Sequence, residues 1–307
     1  MRDAAIIGGG ISGLAAALAV SDLGHRVTLF ESDTDLGGLA TTFPWRDTHL
    51  ERFYHCLLPD DHALLARVRR LGLESQMLWR ETRMGFMYQR RTWPLNGTRD
   101  LLTFGPLSMF ERLRTGVMSV RTKRGGLAPH LDDIKAEPWI RSQVGDRAFE
   151  ILWKPLLSAK IGDQYRTLPA LWLSSRMNRE KSTGAERKGC LVGGYRSLID
   201  AFAQALRSRG VTICLGARAE AIEQLADGRM GVRISGQGMP AFDYVVSTSP
   251  LIQFQSMTRS LPITSLVREL QLDYQGVVSG VFLTRKPFTG YYWMPWVDCG
   301  TTAQGAI

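Results

Sequence analysis

An α/β fold, a parallel sheet layered with helices and interrupted by a mixed α+β insertion, is predicted by three features of the sequence. The chain opens on strand, glycine turn, helix and strand in direct succession. A helix-then-strand unit of the same kind returns after Val192. Between the two, residues 84–187 read as short strands followed by helices, the pattern of one α/β domain interrupted by another.

The opening is the most informative stretch. Ala4-Ala5-Ile6-Ile7 is an apolar run entering Gly8-Gly9-Gly10-Ile11-Ser12-Gly13, and the small residues from Leu14 to Leu23 predict a helix. This is G-x-G-x-x-G between a strand and a helix, where each glycine has its own task. Gly8 permits the tight turn, Gly10 lets a pyrophosphate approach the backbone, and Gly13 lets helix and strand pack closely. The phosphates then meet the free N–H groups of the helix start, at Ile11 and Ser12. Arg26-Val27-Thr28-Leu29-Phe30 is the second strand, and Glu31 at its end can accept both ribose hydroxyls of an adenosine, with Ser32 beside it. The interval from Gly13 to Glu31 fits the about 20 residues expected of a Rossmann-like dinucleotide site. The motif alone does not separate NAD from FAD.

After five intervening residues Glu31 is followed by Gly37-Gly38, then Leu39-Ala40-Thr41-Thr42. This E-x5-G-G resembles the signature of the FAD-dependent amine oxidase and phytoene desaturase superfamily, in which the glycine pair brings backbone close to the flavin diphosphate. The resemblance implies FAD as cofactor, with Gly37, Gly38, Leu39 and Ala40 in the binding backbone. Leu39 stands where many members carry Arg.

Beyond Thr42, Phe43 to Leu50 reads as a turn-rich excursion, followed by Glu51-Arg52-Phe53-Tyr54-His55. Asp60 predicts a helix cap, with Leu64, Leu65, Val68 and Leu71 on one face and Gly72 as the stop. Leu78 to Glu81, Gly85 to Gln89 and Thr92 to Leu95 read as short strands. Pro106 starts a helix from Leu107 to about Val120, with Leu107, Phe110, Leu113 and Val117 as an apolar stripe among arginines. That stripe reads either as packing on the protein's own core, the preferred reading, or as contact with an anionic membrane. Helices follow at Pro138 to Val144, Asp146 to Trp153 and Leu168 to Met177, and a polar stretch, Arg179 to Lys188, returns the chain. Gly193-Gly194-Tyr195 opens a helix with Leu198, Ile199, Phe202, Ala205 and Leu206 inward. Strands are predicted at Val211 to Ile213, Ala217 to Gln224, Met230 to Ile234, Tyr244 to Thr248 and Val277 to Thr284.

Over its length the sequence resembles bacterial NAD(P)/FAD-dependent oxidoreductases of the protoporphyrinogen-oxidase-like and amine-oxidase-like group. The matching pieces are Glu51-Arg52-Phe53-Tyr54-His55, Trp153-Lys154-Pro155-Leu156-Leu157 leading to Lys160-Ile161-Gly162, Val192-Gly193-Gly194-Tyr195 and Val245-Val246-Ser247-Thr248. The resemblance implies a discontinuous FAD-binding domain, residues 1–83 and 188–250, interleaved with a substrate domain, 84–187 and 251–307. It also implies that the strand holding Ala219 offers backbone to the adenine and that the Thr248 turn lies beside the diphosphate. Tyr54 and His55 are the candidates near the flavin ring, and Lys160 the candidate for fixing an anionic substrate group; the commoner roles of such residues are a packing aromatic for Tyr54, a satisfied core histidine for His55 and a surface charge for Lys160. There are two departures. The flavin-adjacent lysine of amine oxidases falls on Ser279, and the chain stops at Gly305-Ala306-Ile307, before the strand-turn-helix that closes the family's FAD site, as a C-terminally truncated sequence would, whether a fragment, the simpler account, or a shortened relative.

Composition narrows the function. Of the formal charge of +9, much lies between Arg80 and Arg124, which favours anionic partners. No nucleic-acid-binding motif accompanies it, so nucleic acid is not expected. Cys56, Cys190, Cys214 and Cys299 lie far apart with no C-x-x-C, as reduced structural thiols of a cytoplasmic protein do. The five histidines lack metal-ligand spacing, so no metal is expected. The uncharged run Ala4 to Val20 is broken by glycines and explained by the nucleotide fold, so no targeting segment is expected. The expected function is an FAD-dependent oxidoreductase removing a hydride from a C–H bond of a small or lipophilic substrate, as dehydrogenase, desaturase or oxidase. The alternatives are a flavin-dependent sugar-nucleotide isomerase, as in the galactopyranose mutases, and a truncated non-catalytic relative.

Overall fold

The computed structural model describes residues 1–125, 128–179, 186–270, 272, 274, 276–297, 299–300 and 305–307. Two compact units divide the chain: Met1–Leu57, Asp61–Leu78 and Gly189–Val281 form the first, and Leu58–Asp60, Trp79–Lys188 and Phe282–Ile307 the second.

The first unit is built on a parallel sheet. The strand Asp3–Ile7 lies between Arg26–Phe30 and Tyr244–Ser247, with Thr212–Cys214 beyond Arg26–Phe30. Side chains alternate across a strand, and here both faces are apolar. Ala4, Ile6, Val27 and Leu29 face one core, with Leu14 and Leu18 of the helix Ile11–Asp22 and Leu198, Phe202 and Leu206 of the helix Gly194–Arg207. Each large apolar side chain among these is essentially removed from water, a contribution of about 1.5–3 kcal/mol apiece. Ala5, Ile7 and Phe30 face a second core. It is covered by the antiparallel strands Ala219–Gln224, Met230–Ile234 and Ala241–Phe242 and by Met257 of the helix Leu251–Met257. That helix explains a difference from the sequence expectation of a domain change at 250/251: it seals the second core, and the units divide instead at 281/282. The expected excursion after Thr42 contains a hairpin, Thr42–Trp45 with Thr48–Glu51, closed by a turn in which Arg46 has φ +50°.

The second unit has its own core. Phe86, Phe104, Leu107, Met118, Ile140, Phe149 and Leu157 are buried among helices and a sheet ordered Gly305–Ala306, Met294–Val297, Gly85–Tyr88, Arg91–Pro94. Tyr291 lies against Gly85, where a Cβ would come within 2.8 Å of the ring. The expected helix Asp146 to Trp153 runs on to Ile161 through a π turn at Phe149–Trp153. Pro155 has no N–H to give to Ile151, and the widened turn absorbs the lost bond. Arg141 ties this segment to its neighbour, reaching Glu137, Asp146 and Glu150 at 2.8, 3.1 and 2.5 Å while its guanidinium stacks over Phe149.

Two expectations are corrected. The stripe Phe110, Leu113 and Val117 does not pack inward. These three are more than half exposed, Leu107 precedes the helix Met109–Arg124, and the buried face is instead Thr115, Met118 and Thr122. Packing sets that rotation, Met118 entering the second unit's core, while Ser108 fixes where the helix starts, its hydroxyl accepting the Glu111 amide and Glu111 accepting the Ser108 amide at 2.7 Å. The second correction is Val277 to Thr284, which forms no strand and is exposed, Val278 and Phe282 most of all. Its β-branched composition needs a paired edge to become a strand, and among the described residues none pairs with it. Most of the polar return, 180–185, lies outside the described residues.

Candidate functional site

Backbone hydrogen bonds anchor both ends of the glycine turn. The Gly8 amide donates to Phe30 O at 2.8 Å and the Leu14 amide to Gly10 O at 2.9 Å. Gly8 has φ +103°, a conformation that suits glycine. A Cβ on Gly13 would stand 1.8 Å from Gly8 O, so only glycine allows the helix this close to the strand. Gly10 stands at the N-cap without a side chain to bond the first-turn amides, and no acidic residue occupies the first turn. The N–H groups of the first turn therefore point out of a helix start that carries positive partial charge, suited to an anion.

Glu31 lies where the second strand ends, buried. Its Oε2 accepts the Gly9 amide at 2.5 Å, and its Oε1 accepts the Asp33 amide at 2.8 Å and the Ser32 hydroxyl at 3.1 Å. A carboxylate has about four acceptor positions, so one remains, and a second is freed if Ser32 turns away. The second glycine pair closes onto the first turn: Gly37 donates to Gly9 O at 2.9 Å, and a Cβ on Gly38 would lie 3.1 Å from Gly10 Cα. Gly37 also abuts Ile199 of the helix Gly194–Arg207, and Arg196 on that helix binds Asp35 at 2.7 Å. Leu39 and Gly38 are exposed at the rim and Ala40 is buried.

Thr248 is pressed under the turn. Its amide and hydroxyl both donate to Ile7 O, at 2.9 and 3.1 Å, and a Cβ on Gly8 would meet the hydroxyl at 2.6 Å. Ala219 begins its strand opposite Ile234 at a bulge, and Ala217 donates to Glu31 O at 2.7 Å, which stitches that strand's approach to the acidic corner. Gly8, Gly10, Ile11, Ser12, Gly13, Glu31, Ser32, Gly37, Gly38, Leu39, Ala40 and Thr248 thus lie around one turn, with Ala219 linked to it through the backbone. An uncapped helix start, a backbone with no room for side chains and an adjacent acceptor-only carboxylate fit the diphosphate and ribose of an adenine dinucleotide.

A second cluster surrounds the start of the helix Gly194–Arg207. Glu51 Oε1 accepts the Tyr195 amide at 3.0 Å. His55 Nδ1 donates to Phe53 O at 2.9 Å, lies 4.0 Å from Glu51 Oε2, and its ring is 5.2 Å from that of Tyr195. Burial, with Glu51, Cys56 and Asp61 nearby, pushes the Tyr195 phenol up to about 12. Tyr54 is exposed beside this cluster in sequence. Lys160 belongs to the other unit, exposed in the last turn of the helix Lys154–Ile161. Sequence reasoning missed the Glu51 cap; the signal was a glycine pair opening a helix that has no Ser, Thr, Asp or Asn in front of it. Among the described residues no group of His, Cys, Asp and Glu is arranged to hold a metal ion.

A sequence profile described as flavin containing amine oxidoreductase matches residues 11–300. Zeta-carotene desaturase of Arabidopsis thaliana is 26% identical over 178 residues, covering 50% of this chain and 32% of that protein. The chain thus spans about a third of the length of the curated relatives it matches. A crystal structure of an oxidoreductase from Methanosarcina mazei superposes with a TM-score of 0.69 at 18% identity, over 87% of this chain and 64% of that one. Reduced UDP-galactopyranose mutase superposes with a TM-score of 0.66 at 18% identity, over 88% and 60%. At these identities the structural likeness is one of fold.

Proposed function

The chain belongs to the flavin-containing amine oxidoreductase family, and from that premise we propose that it is an FAD-dependent oxidoreductase acting in the cytoplasm on a C–H bond of a small or lipophilic substrate. The observation that carries this reading is the closure of Gly37-Gly38 onto the Gly8–Gly13 turn beside the buried Glu31. The first-turn amides of Ile11, Ser12 and Gly13 hold the diphosphate, with Gly37, Gly38, Leu39 and Ala40 on its other side and Thr248 supporting the turn. Glu31, with Ser32, accepts the ribose hydroxyls, and its charge disfavours a 2′-phosphate. Backbone at Ala219 meets the adenine. Bound FAD supplies the hydride acceptor. Tyr54 and His55 orient groups near the ring, with the His55 imidazole fixed through Nδ1 on Phe53 O. Lys160 fixes an anionic substrate group.

The test is anaerobic bleaching of the FAD-loaded chain's visible absorbance by panels of amines, polyenes and cyclic tetrapyrrole precursors. Bleaching by one class supports the proposal. Turnover of a nucleotide sugar only after prior reduction would replace it with the isomerase reading.

Exposure of Met109, Phe110, Leu113, Val117 and Val120 on one helix, with Arg121, Lys123 and Arg124 at its end, supports a second reading, peripheral contact with an anionic membrane. Among the described residues no helix is long and apolar enough to cross one. Co-flotation with phosphatidylglycerol vesicles, lost in the double variant Phe110→Ser, Leu113→Ser, is the expected result; flotation unaffected by that change would remove this reading.

A further inference from the structure

We propose that Cys56 and Cys190 are a thiol pair that closes reversibly into an intramolecular disulfide. Sequence alone sets them far apart; the fold sets them opposite each other. Leu57 and Gly189 form an antiparallel bridge that exchanges both backbone hydrogen bonds, Leu57 N–H to Gly189 O at 2.9 Å and Gly189 N–H to Leu57 O at 2.8 Å. One residue back on the first segment and one forward on the second places Cys56 across from Cys190. Next to a pair that exchanges both bonds, the following pair is of the non-hydrogen-bonded kind, whose Cα atoms approach to about 4.5 Å. That separation lies within the about 4.4–6.8 Å that a disulfide spans.

Burial places both thiols on one side. Leu57 and Gly189 are buried, whereas Cys190 is exposed and Cys56 half-buried, so the two sulfurs share the face opposite Leu57. Both are free thiols in this structure. The other two cysteines are placed elsewhere: Cys214 ends a strand of the parallel sheet beside Phe30, and Cys299 belongs to the second unit.

The chemistry balances with hydrogen peroxide as the two-electron oxidant. The exposed Cys190 thiolate attacks one peroxide oxygen, the O–O bond breaks, and hydroxide leaves to take up the proton released by the thiol, giving water and a sulfenic acid. The Cys56 thiolate then attacks the Cys190 sulfur, the S–O bond breaks as the S–S bond forms, and the departing hydroxide takes the Cys56 proton. Two thiols lose two electrons and two protons, and one peroxide becomes two waters. The bridge fastens the segment bearing Tyr54 and His55 to the strand that leads into Gly193-Gly194, the two pieces that Glu51 already joins through the Tyr195 amide.

The test treats the full chain with a small excess of hydrogen peroxide, blocks remaining thiols and maps non-reduced peptides by mass spectrometry. The expected result is a fall from four titratable thiols to two, one cross-linked peptide pair containing Cys56 and Cys190, and recovery of all four with dithiothreitol. The variant Cys56→Ser is expected to stop at a Cys190 sulfenic acid that dimedone traps, and to lose the rise in melting temperature that oxidation gives the unaltered chain. Separate oxidation of Cys56 and Cys190 to sulfinic acids, a disulfide joining two chains, or a pair involving Cys214 or Cys299 would overturn the proposal. The mapping on the unaltered chain decides the matter even if the variant fails to fold.

Discussion

The Glu51 carboxylate accepts the Tyr195 amide at 3.0 Å, capping from the end of a hairpin a helix that begins far along the chain. Gly193 and Gly194 have φ +78° and +67°, and a Cβ on Gly194 would meet the same carboxylate oxygen at 3.0 Å. Gly194 and the acid are therefore one device: Gly194 makes room for a cap that comes from outside the helix, while a Cβ on Gly193 would meet the Ser197 hydroxyl at 2.5 Å.

Replacing Glu51 with Ala removes that cap and is expected to cost about 1–2 kcal/mol. Glu51→Gln, which keeps an acceptor oxygen, should recover most of it. Urea melts of the three proteins decide this; equal midpoints would mean that water satisfies the Tyr195 amide.

Gly13→Ala forces a methyl group to 1.8 Å from Gly8 O. Helix and strand must separate, at a cost of about 3 kcal/mol or more. FAD binding should be lost with it, whereas Gly24→Ala, in open space but at φ +80°, should cost only about 1 kcal/mol and leave binding intact.

The cap at Ser108 predicts a pH dependence. Burial alone would raise the Glu111 carboxyl, but the Ser108 hydroxyl and amide and the Arg147 guanidinium outweigh it and hold it below its usual range. Its stabilising contribution is then complete above the unfolded value of about 4.3 and fades as pH falls through the lower folded value. Glu111→Gln should be about 1 kcal/mol less stable than the unaltered protein at pH 7, with the gap closing below about pH 4. A gap that persists at pH 2.5 would show that the ionised carboxylate is not its source.

The hairpin Gly85–Tyr88 with Arg91–Pro94 turns on Gln89 and Arg90, both left-handed with φ +50° and +62°. Two left-handed residues make the turn that hairpins favour, normally with glycine at the second. Arg90→Gly is expected to stabilise the protein by about 0.5–1 kcal/mol, read as a higher melting temperature; a lower one would mean the arginine side chain holds the turn.

The sequence made some of this legible and not the rest, for physical reasons. Gly8, Gly10, Gly13 and Glu31 could be read in advance because their requirements are local: a turn, a close approach, a strand end. The stripe on Met109–Arg124 was readable as a stripe but not as a direction, since the period says which residues share a face and only packing says where that face points. Val277 to Thr284 carries strand-forming residues, yet a strand exists only with a partner. The opposition of Cys56 and Cys190 and the reach of Glu51 to Tyr195 depend on chain segments brought together by the fold, which no spacing in the sequence records.

The central claim, that the first unit binds FAD through its adenosine diphosphate half at Glu31 and the two glycine turns, is tested most directly by flavin-fluorescence titration of the purified chain with FAD and with FMN, beside Glu31→Gln. The expected result is one-to-one binding of FAD, none of FMN, and at least a roughly tenfold weaker FAD affinity in Glu31→Gln, about 1.4 kcal/mol or more for a charged hydrogen bond. Binding of FMN as tight as that of FAD, or an affinity indifferent to Glu31, would contradict it.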